Sequence, residues 1–365
     1  MTTPDWFSFR SGIDEYEREA RELDTALHNG DERARWKFKW MHSRFRGRMV
    51  SEVKPETLDL DDARQVVAGE HSFDNWDDLA AFADAVKSDG PVTRFEETVE
   101  AVVSGDVDTL RRMLSDDPGL VRARSARRHG ATLLHYVGAN GVEGYRQRTP
   151  PNAVEVAKVL LEAGAEPDAP ADMYETKCTT MGLLVSSAHP AEAGLQGALA
   201  DTLLDHGAAL QGQGYNWQSD LTTALTFGYM ETAEIFARRG AAIDLPAAAG
   251  LGRTADVERL LPHADSRSRH IALGLAAQLG HVDVVRLLLD AGEDPNRYNA
   301  EGFHSHATPL HHAVSGNRFE VVKLLLDRGA RLDTRDTVYD ATPLGWAIYN
   351  ERPEIADYLR SRGAT

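Results

Sequence analysis

A leucine-rich run that closes on glycine recurs along this chain, and no other feature limits its fold so strongly. The clearest copy reads Thr308-Pro-Leu-His-His-Ala-Val, then Val321-Val-Lys-Leu-Leu-Leu, then Gly329-Ala. It returns as Thr342-Pro-Leu-Gly-Trp-Ala ending in Gly363-Ala, and as the stretch from Ile271 to Gly292. Earlier copies end at Gly164, Gly207 and Gly240, and a weaker one ends at Ala264. From Gly164 to Gly363 the mean spacing is about 33 residues. Each part of the copy has a physical task. The threonine caps a helix, and Pro309 and Pro343 take the first helical position, where no amide donor is needed. The leucines form the apolar stripe of a second helix, and the glycine supplies its left-handed end. One such unit cannot bury its own apolar face, so the copies must stack on one another.

With Thr-Pro-Leu-His at 308–311, Thr-Leu-Leu-His at 132–135, Thr-Pro-Leu at 342–344 and the Leu-Leu-x-x-Gly endings, the chain resembles the ankyrin-repeat family over roughly residues 96–365. The resemblance implies an all-α ankyrin-repeat solenoid. About seven helix-turn-helix repeats are expected, starting near Thr132, Thr179, Ser219, Ile243, Ile271, Thr308 and Thr342. A capping helical pair over Glu96–Leu114 precedes them. Residues 1–90 lack the pattern and read as an α-helical N-terminal extension, so the expected domains are 1–90 and 91–365. The stretch Leu134-His-Tyr-Val-Gly-Ala-Asn-Gly-Val-Glu-Gly-Tyr-Arg-Gln147 is similar to one shared by a group of bacterial ankyrin proteins, a likeness that carries no activity with it.

Composition narrows the partners. With 40 Lys+Arg against 57 Asp+Glu, the formal net charge is −17, which argues against nucleic acid. The single Cys178 excludes an intramolecular disulfide and any multi-cysteine zinc site. No stretch approaches 18 uncharged apolar residues, and the opening Met1-Thr-Thr-Pro-Asp-Trp6 has no leader character. A reducing, cytoplasmic setting without a membrane is therefore expected.

In a stack of similar units the departures locate the function. Two adjacent units carry insertions, at 142–151 and 188–196, and such insertions fall on one face, often the binding face. The hairpin fingers that link the units carry the second departure. Members of the resembled family bind partners with these fingers, and here they are rich in stiff aromatic rings with polar tips, the side chains that dominate interfaces. The expected binding residues are Asn140, Glu143, Tyr145, Arg146, Tyr174, Glu175, Tyr215, Asn216, Trp217, Tyr298, Phe303, His304, His306, Tyr339 and Asp340. The expected function is non-catalytic recognition of a protein segment or a small ligand on the concave face and fingers.

Three kinds of chemistry compete with that reading. Glu143, Arg146, Glu175 and His189 would form an acid/base or hydrolytic site if the two insertions closed over one pocket. No nucleophile elbow, phosphate loop or dinucleotide fingerprint supports this, and no cofactor is expected. The group His304, His306, His311 and His312 has the spacing of metal ligands, but His311 holds the family's structural histidine position and no carboxylate of suitable spacing follows, so no metal site is assigned. The island from Arg33 to Arg48 holds seven Lys/Arg and four aromatic residues without an acid. Docking of its charges onto the acidic repeats is expected, rather than a grip on phosphates.

Overall fold

The computed structural model describes residues 8–210 and 219–365. The chain divides into two compact units, Met1–Gly212 and Gln213–Thr365. The expected boundary between an extension and the repeats, at 90/91, lies inside the first unit.

The first unit opens with α1 (Ile13–His28), α2 (Glu32–Met41), α3 (Leu60–Glu70) and α4 (Trp76–Ala85). Asp31, Asp59 and Asn75 cap α2, α3 and α4 through their side chains, each satisfying amides that the helix leaves unpaired. These helices share a core of their own, from Phe9 through Tyr16, Phe38, Phe45, Val66 and Leu79 to Val86. The pair α5 (Pro91–Ser104) and α6 (Val107–Asp116) follows, with left-handed Gly105 ending α5. In the next copy a 3-10 turn, Leu133–Gly138, stands where a first helix would be, paired with α7 (Ala153–Glu162). A two-stranded hairpin comes next. Its strands are β1 (Ala171–Met173) and β2 (Thr176–Cys178), antiparallel, with Met173 opposite Thr176. The unit ends with α8 (Thr180–Leu184), α9 (Ala188–Glu192) and α10 (Gln196–Asp205).

The second unit is a succession of helical pairs. These are α11 (Asp220–Thr226) with α12 (Met230–Arg238), and α13 (Leu245–Gly250) with α14 (Thr254–Leu260). Next come α15 (Ser266–Leu279) with α16 (Val282–Asp290), and α17 (Pro309–Ser315) with α18 (Phe319–Asp327). The last pair is α19 (Pro343–Tyr349) and α20 (Pro353–Ser361). The helix expected near Ile271 starts five residues earlier, because Asp265 caps it through the Ser268 amide. A continuous apolar core runs through this unit from Leu245 to Leu359, built from the leucine stripes read in the sequence. The family's histidines hold the turns: His135 Nδ1 accepts from the Thr132 amide, and His311 Nδ1 from the Thr308 amide.

Candidate functional site

The first unit contains a cleft of about 1330 Å³, bordered by α2 and the segment after it, by the insertion around Gly141–Arg148, and by the β1–β2 tip. Local sequence explains how these parts meet. Gly141 has a φ of +69°, and a Cβ there would lie 2.6 Å from Met173 Sδ, so the insertion packs this closely on β1 only with glycine. The Asp172 amide donates to the His129 carbonyl at 2.8 Å, which ties the hairpin to the loop before the insertion.

The hairpin tip is conformationally costly. Tyr174 and Glu175 are its two turn residues, and their φ values are +53° and +62°. A two-residue turn of this kind normally takes Asn-Gly, and a bulky side chain in the left-handed region costs on the order of 1 kcal/mol or more. Side-chain contacts hold it there. The Tyr174 hydroxyl donates to Asn140 Oδ1, Asn140 Nδ2 donates to Ser186 Oγ at 2.8 Å, and Glu175 pairs with Arg46 at 2.7 Å. Tyr174 stays 46% exposed and borders the cleft. Backbone held in such a region by surrounding contacts is characteristic of ligand clamps.

Glu143 and Arg146, expected as polar selectors or as an acid/base pair, take a different place. Both are fully enclosed, Glu143 against Arg127 and His129, and Arg146 against Glu96 and Glu100. Two arginines and two glutamates (Arg127, Arg146, Glu96 and Glu143) thus neutralise one another behind the cleft. Burial alone would raise the Glu143 carboxyl pKa, but Arg127, His129 and Arg146 outweigh it and hold the group well below the ordinary carboxylate range. Tyr145 borders the cleft and receives a hydrogen bond from Arg127 at 3.4 Å, while burial raises its phenol pKa.

The remaining enzyme candidates do not join them. His189 is exposed on α9, and of the four proposed catalytic residues Glu175 alone borders the cleft. The second insertion is not a cover: it winds into α9 and returns through Gln196, whose amide donates to the Leu184 and Ser187 carbonyls. The far wall is instead α2, from the basic island, none of whose residues was among the expected binding residues. The island's charges are paired. Lys37 meets Glu70 at 2.8 Å and Arg44 meets Asp62 at 3.1 Å within the N-terminal helices, and Arg46 reaches Glu175. Phe38 and Phe45 are buried in the core, so neither ring is available to stack on bases.

In the second unit Tyr298 and Tyr339 are exposed, and the Tyr298 hydroxyl donates to the Arg335 carbonyl at 2.6 Å. His304 and Asp340 also lie in the left-handed region, with φ values of +43° and +54°. Phe303 is not an exposed anchor. Its ring is fully buried against Gly274 of α15, filling the space beneath its own finger. His304, His306 and His312 cluster with Trp346; the His304 and His312 rings stack 4.9 Å apart with a 29° interplanar angle, and His312 meets Trp346 edge-on. No group of three or more His, Cys, Asp or Glu is placed to hold a metal among the described residues. Burial lowers the pKa of all three imidazoles. Tyr215, Asn216 and Trp217 lie outside the described residues. No helix among those described is long and apolar enough to cross a membrane.

The comparisons agree with the repeats. A family model for ankyrin repeats in three copies matches residues 298–365, and one for a single ankyrin repeat matches 270–300. The "Ankyrin repeat and KH domain-containing protein mask-1" of Caenorhabditis elegans is 28% identical over 285 residues, 74% of this chain and 10% of that relative. The mouse "Ankyrin repeat and SAM domain-containing protein 6" is 33% identical over 103 residues, 28% of this chain and 11% of its own length. The "NF-kappa-B inhibitor cactus" of Drosophila melanogaster is 33% identical over 91 residues, 25% of this chain and 18% of its own. The chain thus spans about a tenth of the length of the first two relatives.

Proposed function

This chain is an ankyrin-repeat protein, and we propose that it is a non-catalytic recognition protein that binds a segment of another protein in the cleft of its first unit. One observation carries the reading. At the β1–β2 tip, two non-glycine residues are held in left-handed backbone, and both border the cleft of about 1330 Å³. Such strain persists only where neighbouring contacts over-determine it, and here those contacts also fix Tyr174 at the cleft edge. The exposed Tyr298 and Tyr339 offer a second, separate contact area in the other unit. A relative named as an inhibitor of NF-kappa-B acts on another protein, which is the kind of role proposed here. The buried, unpaired thiol of Cys178 fits the cytoplasmic setting we assign.

The test is affinity capture with the full chain, with partners identified by mass spectrometry and measured again with purified partner. Tyr174→Ser should weaken the main partner by roughly tenfold, the size of an interface hot spot. Tyr349→Ser, at an exposed ring outside the fingers, should change nothing. Equal capture by both variants removes the hairpin tip from the site.

A further inference from the structure

Resting on that reading, we infer that the cleft recognises an acidic residue of the bound segment, whose carboxylate sits on the ammonium of Lys39.

The charges along the cleft are settled in pairs. Lys37 is bound to Glu70, Arg46 to Glu175, and Arg148 to Glu100 at 3.4 Å. Arg128 lies 3.5 Å from Asp74, Glu19 is 2.9 Å from His71, and Asp172 pairs with Lys177 across the hairpin. Lys39 is the exception among the described residues that border the cleft: it has neither a hydrogen bond nor an ion pair. Its stem is enclosed, while its ammonium is not among the buried polar atoms and has no ionic partner. Lys39 is only 5% exposed, and its ammonium rests 4.2 Å from the centre of the Trp40 ring. A ring face offers a cation partial compensation, less than a carboxylate does. Burial pulls the pKa of the amine down, and Glu52, already engaged by Arg48, opposes this only through space. A ligand carboxylate would supply the missing counter-charge and restore a full charge-assisted hydrogen bond.

The same wall indicates what surrounds that acid. Trp40 is 52% exposed and Met41 is also exposed, so an apolar surface borders the lone cation. One unpaired positive charge matches the single negative charge of Asp, Glu or a chain terminus. A phosphate group would bring nearly two charges to a site whose arginines are already occupied. The class of ligand is therefore an acidic residue beside an aromatic or aliphatic one in an extended peptide.

A displayed library of random heptapeptides selected on the intact 365-residue chain tests this. The enriched peptides should share Asp or Glu next to an apolar residue. For the best of them, Lys39→Met should weaken binding roughly tenfold, and changing the peptide's acid to its amide should do the same. Both changes together should cost no more than either alone, because one interaction is being removed twice. Lys39→Arg should keep most of the affinity. Lys39→Met removes an ammonium that has no ionic partner in the fold, so its Tm should hold, which separates lost binding from lost fold. Binders that lack an acid, or additive losses in the double change, overturn the Lys39 assignment and leave the recognition reading standing. A library that yields no binder to the wild-type chain overturns both.

Discussion

Four residues of the first unit are charges placed where charges are expensive. Arg127, Arg146, Glu96 and Glu143 are all enclosed, and each is tolerated only because opposite charges lie against it. Removing one member leaves an uncompensated charge in a low-dielectric interior, which is worse than removing a pair. Arg146→Met should therefore cost about 3–5 kcal/mol of unfolding free energy. Arg146→Met combined with Glu96→Gln should recover much of that loss, since no net charge is stranded. Urea unfolding of the two variants measures the difference. A single change costing less than about 1 kcal/mol would show that water reaches the network. The pH dependence follows in sign. The Glu143 carboxyl is held low in the folded state, so its contribution is present above the ordinary value of 4.5 and is lost as pH falls below it.

At the scale of elements, the hairpin fingers combine features that the sequence makes plain with others that it hides. The capped first helices, the leucine stripes and the terminal glycines were legible because each rests on local chemistry within one copy. The fingers were legible as positions, and Tyr174, Tyr298 and Tyr339 are exposed as expected. Phe303 was misread because its burial depends on a glycine 29 residues earlier, on a different helix. Glu143 and Arg146 were misread for the same reason: their partners come from α5 and from the loop before the insertion. Lys39 was one of seven cations in a run until the fold showed which of them faced a partner. The Phe303 arrangement makes a prediction for α15. A Cβ on Gly274 would sit 2.3 Å from Phe303 Cε1 and 2.9 Å from Asn299 Oδ1. Alanine ordinarily favours a helix by up to about 1 kcal/mol over glycine. Here the buried ring has nowhere to move, so Gly274→Ala should destabilise the second unit by roughly 1–3 kcal/mol. Adding Phe303→Leu should return part of it, as read by thermal unfolding.

For the whole molecule, the distribution of buried imidazoles between the two units matters more than the formal net charge. Among the described residues of the second unit, His270, His281, His304, His306, His311 and His312 all have pKa values lowered, with burial the largest cause in each. In the first unit burial pulls the His135 pKa down to about 4. His42, His71 and His129 there lie against carboxylates instead. An imidazole with a lowered folded pKa binds its proton more readily when unfolded. Its stabilising effect is therefore complete above the unfolded value near 6.5, and it fades as pH falls toward the folded value, about 4 for His311. At pH 5 His311 has lost on the order of 2 kcal/mol, and the other buried imidazoles of the unit act in the same direction. The clustered His304, His306 and His312 add mutual repulsion once charged. The first unit depends more on carboxylates, whose window opens only below about pH 4.5. Acidification should thus unfold the second unit first. Fluorine NMR of the fluorotryptophan-labelled full chain reports each unit separately, through Trp346 in α19 and Trp76 in α4. The Trp346 resonance should move to its unfolded position between pH 6 and 5, while Trp76 keeps its native shift until a lower pH. Simultaneous loss of both signals would mean that the histidines of the second unit do not set its acid limit. His312→Phe, which keeps a ring in the stack but cannot take a proton, should shift the Trp346 transition to lower pH and leave that of Trp76 in place.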